Sequence, residues 1–184
     1  MKEALIAKEG LKLIIPSFVL SIIFYIFFYY SLAVLSILFF LFCLFFFRNP
    51  RRSSREPMDR LISPADGKVT EIKDIVENEF LGYEAIRVSI FMSLASVHVN
   101  RSPMAGRIMQ VVHRPGKFAL AWKADVDQEN ERNYILLSGN NEKILVVQIA
   151  GFLARRITSY VHAGDTVARC EPLGIIAFGS RVDI

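Results

Sequence analysis

The 184-residue sequence predicts a mainly β domain, a barrel or sandwich, preceded by an N-terminal apolar helical hairpin. Three observations carry that reading. From Leu13 to Phe47 there is no charged residue, and this stretch holds ten of the fifteen phenylalanines. Beyond it, apolar residues fall into short β-branched runs bounded by Gly, Pro or Asn. Within those runs, one turn-strand motif occurs twice.

The hairpin comes first. A hydrophobic fraction of 53% and mean hydropathy of +0.36 exclude disorder and do not suit an ordinary soluble domain. The uncharged run is about 35 residues, so one continuous helix would be roughly 52 Å long. A bilayer core is about 30 Å thick and needs about 20 residues per crossing. Two tight spans turning near Tyr29-Tyr30-Ser31 are the favoured reading, with one long tilted helix as the alternative. Lys2, Lys8 and Lys12 precede the run and Arg48, Arg51, Arg52 and Arg55 follow it. Basic flanks at both ends place both ends on the cytoplasmic face of the cell membrane. The run is too long for a cleaved signal peptide, and no small-residue cleavage site follows it.

Residues 48–60 read as a basic linker in which Pro50 stops the preceding helix. The segment suits an anionic membrane surface, at about 1 kcal/mol per basic residue. No basic-aromatic pattern recurs later in the chain, so nucleic acid is not an expected partner. Residues 61–184 then form one domain. Its expected strands are Lys68–Ile75, Ala85–Met92, Arg107–Val112, Tyr134–Ser138 and Ile144–Ile149, with a helix possible over Phe152–Val161. Cys43 and Cys170 are too few for a disulfide framework or a four-cysteine zinc site, and suit a reducing compartment.

The repeat is Ser63-Pro64-Ala65-Asp66-Gly67-Lys68-Val69 against Ser102-Pro103-Met104-Ala105-Gly106-Arg107-Ile108. Proline fixes φ, glycine permits positive φ, and a strand follows. Related turn-strand units occur at His162–Val167 and Glu171–Ile176, and such units pack in sandwiches of lipoyl-carrier type. The copies differ where Asp66 faces Ala105. A carboxylate that the turn does not require can serve chemistry; equally, it can cap the turn.

The end of the chain, Gly174–Asp183, carries a resemblance. With Phe47-Arg48-Asn49-Pro50, Ile62–Gly67, Phe91-Met92-Ser93-Leu94, Val97-His98-Val99-Asn100-Arg101, Pro115-Gly116-Lys117-Phe118, Gln148-Ile149-Ala150-Gly151 and Phe178-Gly179-Ser180, it resembles the phosphatidylserine decarboxylases. Their short membrane-anchored form is the one it is most similar to. Each motif alone is weak; their number and order carry the resemblance over most of the chain.

The resemblance implies a proenzyme that cuts itself between Gly179 and Ser180. The Ser180 hydroxyl attacks the Gly179 carbonyl, the resulting ester eliminates, and the dehydroalanine left behind hydrolyses to a pyruvoyl group with loss of ammonia. That covalent pyruvoyl group, made from Ser180, is the implied cofactor. It would form a Schiff base with phosphatidylserine and withdraw electrons as CO2 leaves, giving phosphatidylethanolamine in phospholipid biosynthesis. Ser180, Asp66 and His98 match the family's catalytic positions. His98 would take the Ser180 proton, with Asp66 orienting the ring, and would later protonate the substrate carbon.

The implied partners are the lipid substrate and the protein's own cleaved α and β chains, and a homo-oligomer stays open. Longer family members carry a second histidine where Arg101 stands here, and the family's α chain continues with strands beyond the position of Ile184.

Other residues receive plainer readings. His113 and His162 have no metal-ligand spacing, so no metal is expected, which also counts against a membrane-anchored metallopeptidase. Arg155-Arg156 could meet phosphate or simply solvent, and Trp122 beside Lys123 is given no role. The alternative to an enzyme is a membrane-tethered lipoyl-like carrier or interaction module. That reading needs a modifiable lysine at a hairpin tip, and Lys68 after Gly67 is not flanked in that way.

Overall fold

The structure is a computed structural model that describes residues 4–116, 130–139, 142–151, 156–177 and 180–184. The chain divides into two compact units, Met1–Arg51 and Arg52–Ile184. In the first, a 3-10 turn at Lys8–Gly10 leads into α1 (Leu11–Ile26), and α2 (Tyr30–Phe46) follows three residues later. The reversal lies at Phe27–Tyr29, slightly ahead of the expected position. Phe28 adopts φ 63°, and the Tyr29 amide donates to the Phe24 carbonyl at 2.8 Å.

The buried residues of this pair are mostly small: Ser17, Ser21, Ala33, Ser36 and Cys43. Ser36 Oγ donates across the helices to the Ser17 carbonyl at 2.8 Å. The large residues, among them Phe18, Leu35, Leu38 and Phe39, point outward. Small residues inside and large apolar ones outside is the arrangement that helices adopt in a lipid surround. Lys8–Ile26 is long and apolar enough to cross a membrane. The open end of the hairpin is tied by Ala7 N–H to Phe47 O at 2.9 Å and by Asn49 Nδ2 to Ala4 O at 3.0 Å.

The second unit is mainly β. Its strands are β1 (Lys68–Glu77), β2 (Tyr83–Met92), β3 (Val99–Arg101), β4 (Gly106–Arg114), β5 (Arg132–Gly139), β6 (Glu142–Ala150), β7 (Ile157–Ser159), β8 (Thr166–Val167), β9 (Pro172–Ile176) and β10 (Ser180–Asp183). An antiparallel sheet of seven strands has the order β1-β2-β10-β6-β5-β4-β8, and a second of three has the order β3-β9-β7. Among the described residues neither sheet closes on itself, so the mainly β expectation holds while a barrel and lipoyl-like repeats are not confirmed. The core joins Ile90, Met92, Ile108, Ile135, Leu137, Val146 and Val182 of the larger sheet to Ile157, Leu173 and Ile176 of the smaller.

The helix considered over Phe152–Val161 is corrected in part. Phe152–Arg155 lie outside the described residues, but Ile157–Ser159 is strand β7, paired with β9 from Ile157↔Ile176 to Ser159↔Gly174. Here pairing with an existing strand prevails over local propensity.

The turn repeat has a structural counterpart. Ser63 Oγ donates to Ala65 O at 2.7 Å, and Ser102 Oγ donates to Met104 O at 2.6 Å. The copies also bond each other reciprocally: Ile62 N–H to Pro103 O at 3.1 Å, and Arg101 N–H to Pro64 O at 2.8 Å. Each following strand shifts register at the same place, between Val69 and Glu71 in β1 and between Ile108 and Gln110 in β4.

Neither repeat glycine takes the expected positive φ, which among the described glycines belongs to Gly82 and Gly164; close backbone approach explains them instead. A Cβ on Gly67 would lie 2.3 Å from the Phe91 carbonyl oxygen, and one on Gly106 would lie 2.5 Å from that of Ser138. These are backbone atoms of a paired strand, which cannot simply rotate away. Gly67→Ala should therefore destabilise the domain by about 1–3 kcal/mol, read as a lowered melting temperature of the detergent-solubilised chain. An unchanged melting temperature would show that the turn can move.

Candidate active site

Ser180 opens β10, which is inserted between two long strands. It lies opposite Met92 of β2 and Ala150 of β6. Alternation along the strand puts Ser180 and Val182 on the core face and Arg181 and Asp183 on the other. Ser180 is fully buried, and its Oγ has no hydrogen-bond partner among the described residues. A buried hydroxyl left in that state costs about 1–3 kcal/mol. Such an atom in a folded protein asks for a functional explanation. Gly179 and Phe178, the residues before it, lie outside the described residues.

His98 is also fully buried and immediately precedes β3. Its carbonyl accepts from the Ile176 amide at 3.4 Å, four residues ahead of Ser180. Asp66 sits in the first repeat turn, which β3 holds through the Arg101–Pro64 bond. The adjoining Gly67 packs on the Phe91 backbone, next to the Met92 that faces Ser180. Ser180 and the Asp66 turn thus both adjoin the Phe91–Met92 end of β2, and His98 leads into β3, which holds that turn.

Their side chains differ in setting. The Asp66 carboxylate is half-exposed and accepts from Arg52 Nη2 at 2.5 Å, whereas Ser180 and His98 are in the interior. Arg101, which stands where longer family members place a second histidine, is buried and donates through Nη1 to the Cys170 carbonyl at 2.7 Å. It thereby ties β3 to the turn that leads into β9.

Sequence reasoning missed two polar arrangements beside this site. Asn133 Nδ2 donates to Gln148 Oε1 at 2.9 Å, Gln148 Nε2 donates to Asn100 Oδ1 at 2.7 Å, and Asn100 Nδ2 reaches Met92 Sδ at 3.4 Å. This amide chain joins three strands in the core and ends at the residue facing Ser180. The signal was present: Gln148 falls in the inward phase of Ile144, Val146 and Ala150, where an apolar residue is expected. On the other face, Arg181 Nε and Nη2 meet Asp183 Oδ1 and Oδ2, both at 2.7 Å and both buried. That pair lines a cleft of about 1000 Å³ together with Tyr134, Val147 and Ile149.

Among the described residues, no group of three or more His, Cys, Asp or Glu side chains could hold a metal ion. His113 lies 3.5 Å from Glu131 and His162 lies 3.8 Å from Asp165, each an ordinary polar contact. Cys43 and Cys170 are buried and form no disulfide. Arg156 is exposed, while Arg155, Trp122, Lys123 and Lys117-Phe118 lie outside the described residues.

Comparison with known proteins agrees with the motifs. The profile of the phosphatidylserine decarboxylase family matches residues 39–184. A phosphatidylserine decarboxylase proenzyme of Carboxydothermus hydrogenoformans is 46% identical over 141 residues, covering 77% of this chain and 66% of the relative. One of Nitrobacter winogradskyi is 46% identical over 146 residues, covering 77% of this chain and 59% of the relative. The chain therefore spans about three fifths to two thirds of the length of these relatives. The family match takes in the Asp66 turn, His98 and the buried serine of β10 alike, and on that ground this chain belongs to the phosphatidylserine decarboxylase family.

Proposed function

We propose that this chain acts as a self-processing, pyruvoyl-dependent phosphatidylserine decarboxylase, making phosphatidylethanolamine and CO2 for phospholipid biosynthesis at the cytoplasmic face of the cell membrane. The observation that carries this reading is the buried Ser180 Oγ, without a hydrogen-bond partner among the described residues and directly after Gly179 in the sequence. A serine hydroxyl is a weak nucleophile in water and needs a base beside it. Burial removes the water that would solvate it, and His98, equally buried, leads into β3.

In self-cleavage, His98 accepts the Oγ proton as Oγ adds to the Gly179 carbonyl. The C–O bond of an ester forms and the C–N bond of the amide breaks. Elimination then removes the Ser180 Cα proton and breaks the Cβ–O bond, forming the Cα=Cβ double bond and releasing the Gly179 carboxylate. Hydrolysis of the remaining enamine consumes one water and releases ammonia. Asp66 supports the charge that develops on His98.

The pyruvoyl group fits Ser180, which supplies its three carbons at the start of a strand paired on both sides. Val88 and Ile184 add a reciprocal pair of backbone bonds at 2.8 and 3.0 Å. Residues 180–184 would thus stay in the sheet after the break. The group supplies an electron-withdrawing carbonyl for decarboxylation. His98 delivers a proton to the substrate carbon that loses CO2. The hairpin holds the domain at the bilayer, where the serine head group is presented, so the lipid need not be extracted.

Mass spectrometry of the full chain after incubation in membranes tests the reading. The expected result is a break between residues 179 and 180, with the 180–184 fragment lighter by one ammonia and reducible by borohydride. An intact chain after prolonged incubation would overturn it.

A further inference from the structure

We infer that Arg52 is shared between Asp66 and the anionic phosphates of the bilayer, so that the lipid surface sets how much Asp66 carboxylate is available for self-cleavage. The consequence for cleavage rests on the function proposed above; the exchange of Arg52 does not. Arg52 Nη2 lies 2.5 Å from Asp66 Oδ2, and the two side chains are 46% and 45% exposed. Ion pairs of that exposure are weak and readily screened. A guanidinium also binds phosphate through the same fork that binds carboxylate.

The competing partner is within reach. Arg52 is six residues beyond Phe46, the end of α2, so an extended linker spans at most about 20 Å. Arg51 and Arg55 on either side are exposed, which makes the segment attractive to an anionic surface. An exposed ion pair and a surface phosphate contact are of similar strength, so neither partner holds Arg52 outright. The later half of the linker is fixed independently: Arg169 donates to the Pro57 and Glu56 carbonyls at 2.7 and 2.6 Å. Arg52 can therefore change partner while the linker stays against the domain.

Coupling of this kind is reciprocal. If lipid draws Arg52 from Asp66, removing the Asp66 charge must draw Arg52 to lipid. The test uses the full chain with Ser180→Ala, to keep one species, in nanodiscs of phosphatidylcholine with a rising fraction of phosphatidylglycerol. A nitroxide is placed at Ser53→Cys, Cys43 and Cys170 being buried. Access of a water-borne relaxation agent to the label should fall as phosphatidylglycerol rises. Asp66→Asn should lower the midpoint by roughly two- to fivefold. Asp74→Asn, an equal charge change at an exposed site, should lower it less. The Asp66→Asn effect should vanish when Arg52→Ala is added. Equal shifts in the two Asp variants, or an effect that persists without Arg52, would overturn the exchange.

With Ser180 restored, phosphatidylglycerol should speed cleavage, and Arg52→Ala should cleave as fast without it. Cleavage that ignores phosphatidylglycerol would remove the link to Asp66. No cleavage in any membrane, with the label transition intact, would defeat the proposed self-processing and leave the exchange standing.

Discussion

Ser180→Ala should leave the chain uncut and abolish decarboxylation, while the melting temperature stays the same or rises slightly. The two halves of this result have one source. The hydroxyl is the only group at the position able to attack the Gly179 carbonyl, and its removal also removes the carbon skeleton and oxygen from which the pyruvoyl group is made. Yet among the described residues Oγ has no hydrogen-bond partner in a fully buried setting, so folding gains little from it. Alanine relieves the desolvation of an unsatisfied oxygen and leaves a space of only one small atom. Chemistry and stability are therefore separable at this residue, which is seldom so in a core. Gel and mass analysis of the membrane-reconstituted variant, with release of CO2 from phosphatidylserine, checks the first half; thermal unfolding checks the second. Release of CO2 by the alanine variant would sink the mechanism. Ser180→Cys retains a nucleophile and a three-carbon skeleton, and it should cleave at a reduced rate.

The long strands were legible because their apolar residues alternate over enough positions to reveal the period. Residues 135–137 and 144–147 show the other signal, short apolar runs rich in β-branched residues between turn residues, and the second run is largely buried on both faces. The short strands were not. Ser180–Asp183 is four residues long, and its partners are Ser89–Met92 and Val147–Ala150, distant in sequence. No local pattern announces a strand whose two neighbours are supplied by the fold. Ile157–Ser159 was read as part of a helix for the same reason.

The repeat was legible as a turn. Its reciprocal hydrogen bonds and matched register shifts depend on the two copies meeting across the domain, which the sequence does not encode locally. Asp66 stood out because the second copy lacks a carboxylate. Its Arg52 partner was assigned to the lipid surface alone, since a basic cluster beside an apolar run gives no hint of a carboxylate folding back to it. Ser180 itself was reached by resemblance, and its burial between two strands comes only from the structure.

Asp183→Ala should be the most destabilising single change in β10. Arg181 and Asp183 are two residues apart on one face, which brings the guanidinium alongside the carboxylate with two bonds of 2.7 Å. Both side chains are nearly buried, at 9% and 8% exposure, so solvent screens the pair little. Removing the carboxylate takes two buried charge-assisted bonds from the guanidinium, and breaking a buried pair in this way costs about 3–5 kcal/mol. For a chain of this size, each kcal/mol lowers the melting temperature by roughly 2–4 °C, so a fall of about ten degrees is expected.

The double replacement Arg181→Met with Asp183→Leu should recover most of that loss, because an apolar pair needs no desolvated charge. A double-mutant cycle on melting temperature separates these cases. A loss below about 1 kcal/mol for Asp183→Ala would show that the pair behaves as a surface one. The pair faces away from Ser180, so it can reach the reaction only through the placement of β10. Cleavage in Asp183→Ala should therefore fall in step with stability and return on cooling, whereas Ser180→Ala stays uncut at every temperature.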